Sequence, residues 1–126
     1  MKNIILFIKS YRGDLQRCVA LTESIAKFNR DNIPVYLSVP TDDIELFKQN
    51  TPFYTEIISD DTITSKSEGW VGQQMVKSLV YKLNLCRFYV CLDSDVYFFK
   101  DFYIKDFLYK DDVPYMIMHE RDDFYE

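Results

Sequence analysis

The stretch Phe88-Tyr89-Val90-Cys91-Leu92-Asp93-Ser94-Asp95-Val96-Tyr97-Phe98-Phe99 constrains this chain more than any other. Five apolar residues run into two aspartates one residue apart, and a second apolar run follows at once. A continuous run of β-formers reads as a strand buried on both faces, as in the interior of a parallel sheet. Carboxylates at the end of such a strand leave the core where open α/β sheets place their ligands, beyond the carboxyl ends of the strands.

The preceding chain supplies the rest of that sheet. Ile4 to Ile8 is an unbroken apolar run and reads as a first buried strand, followed by a loop from Lys9 to Gly13. Asp14 is placed to N-cap a helix in which Leu15, Cys18, Leu21, Thr22, Ile25 and Phe28 recur at spacings of three and four. Ile33 to Val39 reads as a second strand, Asp43 to Gln49 as a short helix, and Phe53 to Ser59 as a third strand ending at Asp60-Asp61. From Gly69 to Leu83, Val76, Leu79, Val80 and Leu83 share one helical face, while Trp70, Gln73, Gln74, Lys77 and Tyr81 share the next. Phe98 to Asp106 is compatible with a short helix or an aromatic-rich turn, and Val113 to Met118 with a last strand. The alternation predicts an α/β fold: a mostly parallel, Rossmann-like sheet with helices on both faces.

Composition narrows the functional classes. A length of 126 residues is that of one domain, 1–126, and suffices for a real core. A net charge of −5 argues against nucleic acid as the partner, because phosphate binding needs a basic surface. An acidic chain can still hold an anion if a divalent cation lies between them. No apolar run reaches the roughly 20 residues of a transmembrane segment, and the run after Met1-Lys2-Asn3 is too short for a secretory signal. Cys18, Cys86 and Cys91 have no C-x-x-C spacing and read as reduced thiols. Together these features predict a cytoplasmic protein, with the inner membrane surface as a second location.

Asp93 and Asp95, at i and i+2, can reach one ion from a strand end. Two hard oxygen donors suit Mn2+ or Mg2+, held by one or two carboxylates plus substrate phosphates. The plain reading of the same pair is a polar turn closing a strand. Likewise Lys77 can be a solvated helix lysine, and Arg12 can simply pair with Asp14.

Leu92-Asp93-Ser94-Asp95 after an apolar strand resembles the D-x-D motif of nucleotide-sugar glycosyltransferases of the GT-A fold. Gly69-Trp70-Val71-Gly72-Gln73-Gln74-Met75-Val76-Lys77 resembles the G-W-x-x-Q-Q-x-x-K helix of bacterial, capsule-associated GT-A-like proteins. The resemblance runs from Ile4 to about Phe102. It implies a metal-dependent glycosyltransferase, or its donor-binding part, acting in bacterial surface polysaccharide synthesis. The partners implied are a nucleotide-diphosphate sugar and a saccharide or lipid-linked acceptor.

Residue by residue, the resemblance makes Asp95 a metal ligand and lets Asp93 bind the metal or the ribose. Ser10, Tyr11 and Arg12 would lie by the base and ribose, Asp60 by the base, and Gln73 and Lys77 by the diphosphate or sugar. His119 is a candidate third metal ligand. Only about 30 residues follow Asp95, fewer than the acceptor-binding half of such enzymes. The domain is therefore expected to be truncated or shortened, with a second copy able to cover apolar surface near its end as a homo-oligomer. Two other classes fit the same motifs: a nucleotide-sugar-binding or assembly module without turnover, and a D-x-D phosphatase with Asp93 as nucleophile. Against the phosphatase, three strands precede the motif and Tyr97 stands where a Thr would be expected.

Overall fold

The computed structural model describes residues 2–52, 54–65, 69–110 and 113–114. Strand β1 (Lys2–Lys9) is followed by α1 (Leu15–Phe28), β2 (Val35–Val39), α2 (Ile44–Asn50), β3 (Glu56–Ser59), α3 (Gly69–Leu79) and β4 (Cys86–Asp93). A short pair, β5 (Leu108–Lys110) and β6 (Val113–Pro114), comes last. The first four strands form one parallel sheet in the order β3-β2-β1-β4, and β5 and β6 pair antiparallel. This is the α/β, Rossmann-like architecture read from the sequence, with helices on both faces.

Strand β1 is the centre because it is covered on every side. It pairs with β2 along one edge and with β4 along the other. Its even residues, Ile4, Leu6 and Ile8, pack with Cys18, Leu21 and Ile25 of α1 and Phe47 of α2. Its odd residues, Ile5 and Phe7, pack with Val76 of α3 and with Val80 just beyond it. A strand whose side chains find helices on both faces needs no polar alternation, so it reads as an unbroken apolar run. Each such buried side chain contributes roughly 1.5–3 kcal/mol relative to exposure. Helix α3 closes in a tight turn, Val80–Leu83, and Asn84 ends it at φ 53°, the left-handed position that asparagine tolerates.

Four local expectations are corrected or refined. First, β4 is not an interior strand: among the described residues it pairs with β1 alone, and its residues are half-buried or exposed. An apolar sequence reports covered faces, and β4 has partners on its faces without a neighbour on its outer edge among the described residues. A groove of about 530 Å³ follows that strand, lined by Phe88, Val90, Phe107, Leu108 and Pro114 among others.

Second, Asp14 occupies the N-cap position of α1 without a capping hydrogen bond, because its carboxylate is engaged elsewhere. Third, Phe98 to Asp106, open in sequence to a short helix or a turn, is an irregular stretch that closes in one short 3-10 turn, Ile104–Asp106. It runs back along α1: the amide of Phe98 donates to Ser24 Oγ at 2.9 Å, and that of Phe102 to the Phe28 carbonyl at 2.9 Å. The Phe98 and Phe102 rings stack at 4.0 Å, and Phe102 is buried. Fourth, β3 is shorter than expected, beginning at Glu56; Phe53 lies outside the described residues. Of the last predicted strand only Val113 and Pro114 are described, and residues 115–118 lie outside.

Candidate functional site at the fork of β1 and β4

The strand order places β2 and β3 on one side of β1 and β4 on the other. Chain connections therefore diverge at the carboxyl ends of β1 and β4, which opens a crevice there. A cleft of about 180 Å³ lies at that point, lined by Lys9, Asp14, Arg17, Gln73, Lys77, Asp93, Ser94 and Asp95. Register explains the meeting: Lys9 and Asp93 are partners on adjacent strands, the last residues of β1 and β4. Gln73 and Lys77, one turn apart on α3, line the same cleft.

The turn after β4 is anchored by its middle residue. Ser94 is buried, and its hydroxyl donates to Asp14 Oδ2 at 3.1 Å, tying the turn to the start of α1. Asp93 and Asp95 are left exposed. Lys77 Nζ donates to Asp93 Oδ1 at 2.5 Å, from a side chain only 19% exposed. Asp14 also faces Arg17, with Oδ1 3.7 Å from Nη1.

Beneath the cleft lies a second polar layer. Lys9 Nζ is 3.0 Å from Asp60 Oδ2, with the two side chains 2% and 1% exposed. Ser38 Oγ donates to Asp60 Oδ1 at 2.6 Å. The three residues stand in a row across β1, β2 and the end of β3.

This corrects two sequence assignments. Asp60 is not presented at the strand ends toward a base; it is fully buried and holds the Lys9 ammonium. Ser10 points inward, with its hydroxyl against the Cys18 thiol of α1 and no well-aligned hydrogen bond. Burial pushes that thiol up to about 11, while Ser10 pulls the other way.

Arg12 is fixed, though not by Asp14. Its Nε donates to Asp43 Oδ1 at 2.7 Å and its backbone amide to Asp43 Oδ2 at 2.9 Å. Asp43 is buried while the Arg12 side chain is 64% exposed, so the pair holds the guanidinium at the surface, outside the lining of the cleft. Tyr11 is partly exposed, and its ring lies over Gly13, where a Cβ would collide with it. His119 lies outside the described residues.

The donor set can be tested against a divalent cation. Asp95 makes no side-chain hydrogen bond or ion pair among the described residues, and Asp93 has one oxygen taken by Lys77. No group of three or more His, Cys, Asp or Glu that could cage a metal occurs among the described residues. Two carboxylates without a cage fit a cation that is completed by water and by a ligand's phosphates. Charge points the same way. Lys9 is paired with Asp60, Arg17 with Asp14 and Lys77 with Asp93, which leaves the Asp95 charge without a partner among the described residues. A cleft with one surplus negative charge does not attract a diphosphate unless a cation joins it.

A family model described as a family of unknown function (DUF6492) matches residues 3–126. The chain belongs to the DUF6492 family. The match covers β1 through β6 and so takes in every residue of the cleft. No curated protein and no solved structure matches this DUF6492 chain. No helix among its described residues is long and apolar enough to cross a membrane.

The sequence reading identifies Gln73, Lys77, Asp93 and Asp95, and all four line the cleft. It misses Lys9, Asp14, Arg17 and Ser94, and reads Asp14 as a helix cap. Lys9 carried a signal: a lysine ending an apolar strand, at the same end of the sheet as Asp60.

Proposed function

We propose that the cleft at the ends of β1 and β4 binds the diphosphate of a nucleotide-linked sugar, and that this DUF6492 protein is a glycosyltransferase of the GT-A type or its donor-binding part. The acceptor would be a saccharide or a lipid-linked saccharide of a bacterial surface polymer. The observation that carries the reading is the convergence of Asp93, Asp95, Lys77 and Gln73 on one cleft at the point where the strand order reverses.

Asp95 and Asp93 would hold Mn2+ or Mg2+, which when bound neutralises the diphosphate as a leaving group. Lys77 carries a second positive charge to the phosphate oxygens, and Gln73, one turn away, offers an amide to the phosphate or sugar. Ser94 holds the turn so that both carboxylates face the ligand. Arg12, steadied by Asp43, and Tyr11 stand on the loop after β1, beside the expected position of the ribose and base. Lys9, locked by Asp60, gives the floor a fixed polar surface.

Thermal denaturation of the protein with UDP- and GDP-sugars, with and without Mn2+, tests the reading. A rise in melting temperature that needs both nucleotide and cation is expected, together with slow release of free sugar or transfer to a saccharide. Stabilisation without turnover on any acceptor would leave a binding module. No stabilisation by any nucleotide sugar would refute the donor site.

A further inference from the structure

Resting on the donor-site reading, we infer that the Lys77–Asp93 ion pair is an exchange element that couples cation binding to diphosphate binding. Lys77 Nζ sits 2.5 Å from Asp93 Oδ1 and so occupies a carboxylate oxygen that a cation would use. Lys77 is largely shielded, at 19% exposure, whereas Asp93 is 67% exposed and open to other partners. The pair is thus accessible from the carboxylate side.

Each ligand alone is opposed. A divalent cation arriving by itself meets one carboxylate, Asp95, with no partner among the described residues, and a second whose charge Lys77 already neutralises. A diphosphate arriving by itself meets a cleft in which Lys9, Arg17 and Lys77 are all matched by carboxylates. When both arrive, Lys77 gives up Asp93 to the cation and turns to the phosphate oxygens. Every charge in the cleft then has a partner of opposite sign. The coupling is reciprocal by linkage: whatever factor the diphosphate adds to cation affinity, the cation adds to diphosphate affinity.

The exchange makes a prediction of opposite signs that a residue of merely structural importance would not produce. Lys77→Met keeps the length of the side chain and removes the charge. Isothermal titration of the full chain with Mn2+ alone is expected to show tighter binding in Lys77→Met than in the parent, by about fivefold or more. Titration with preformed Mn2+–pyrophosphate is expected to show weaker binding in Lys77→Met by a similar factor. In an Asp93→Asn background the gain in Mn2+ affinity should vanish, because there is no longer a carboxylate to free. Lys77→Gln serves as the second variant should the methionine unsettle the helix. If both affinities fall, or neither changes, Lys77 is not an exchange element although the donor site stands. If the parent binds neither Mn2+ nor Mn2+–pyrophosphate, the donor site itself is refuted and the exchange with it.

Discussion

Lys9 and Asp60 face each other across the width of β2, 3.0 Å from ammonium to carboxylate, with almost no access to water. Ser38 on the intervening strand donates to the other carboxylate oxygen at 2.6 Å. A buried ion pair of this kind adds little net stability over an apolar pair, but removing one partner strands a charge. Asp60→Asn or Lys9→Met alone should therefore destabilise the protein by roughly 3–5 kcal/mol. Lys9→Met combined with Asp60→Leu should recover much of that loss. Urea denaturation of the three variants checks the pattern; additive losses in the double variant would argue that the two groups do not depend on each other.

Asp95 is exposed and makes no side-chain hydrogen bond or ion pair among the described residues. Asp95→Asn should change stability by less than about 0.5 kcal/mol. It should abolish Mn2+-dependent binding of a nucleoside diphosphate. Calorimetry that found the affinity of Asp95→Asn unchanged would remove Asp95 from the metal-ligand set.

Ser94 has a structural task inside the motif. Its hydroxyl joins the turn after β4 to Asp14 at the start of α1, and hydrogen bonds to charged groups contribute about 1.5–3 kcal/mol. Ser94→Ala is expected to lower stability toward the bottom of that range, since Asp14 is partly solvated. It should also weaken cation binding by freeing the turn that aims Asp93 and Asp95. A denaturation midpoint equal to that of the parent would contradict the anchor.

Cys18 should make the protein sensitive to alkali. Burial raises its thiol from an ordinary value of 9.0 to about 11 in the folded chain. The folded state then holds a proton that the unfolded state releases between those values. The neutral thiol's contribution is complete below pH 9 and is lost as pH rises toward 11, on the order of 2 kcal/mol. The melting temperature of the parent should fall more steeply above pH 9 than that of Cys18→Ala. Parallel curves would show that the thiol does not titrate with unfolding. Thiol reagents at pH 8 should modify the exposed Cys91 well before Cys18.

Much of the fold was legible because helices and covered strands write their faces into sequence. Ile4 to Ile8 is unbroken because helices lie on both sides of β1, and the spacing of Leu21 and Ile25 follows from a single buried stripe on α1. That β4 pairs with β1 alone among the described residues was not legible. Hydrophobic pattern reports what lies above and below a strand, and pairing along an edge uses backbone groups that every residue carries. The meander from Phe98 to Phe107 was obscure for a related reason: it is held by backbone bonds to α1 and by rings with no fixed period.

The site divides along the same line. By itself the sequence determined the D-x-D turn at a strand end, the paired Gln73 and Lys77 one helical turn apart, and a family match over residues 3–126. Those features depend on residue type and short-range spacing. Only the tertiary structure decided which charge meets which. It gave Lys77 to Asp93, Arg12 to Asp43, Lys9 to Asp60 and Ser94 to Asp14, partners 16, 31, 51 and 80 positions apart. Ion pairs form between whatever groups the packed strands and helices bring within about 3 Å, and sequence distance has no bearing on that. The same packing buried Asp60, which the family resemblance set toward a base.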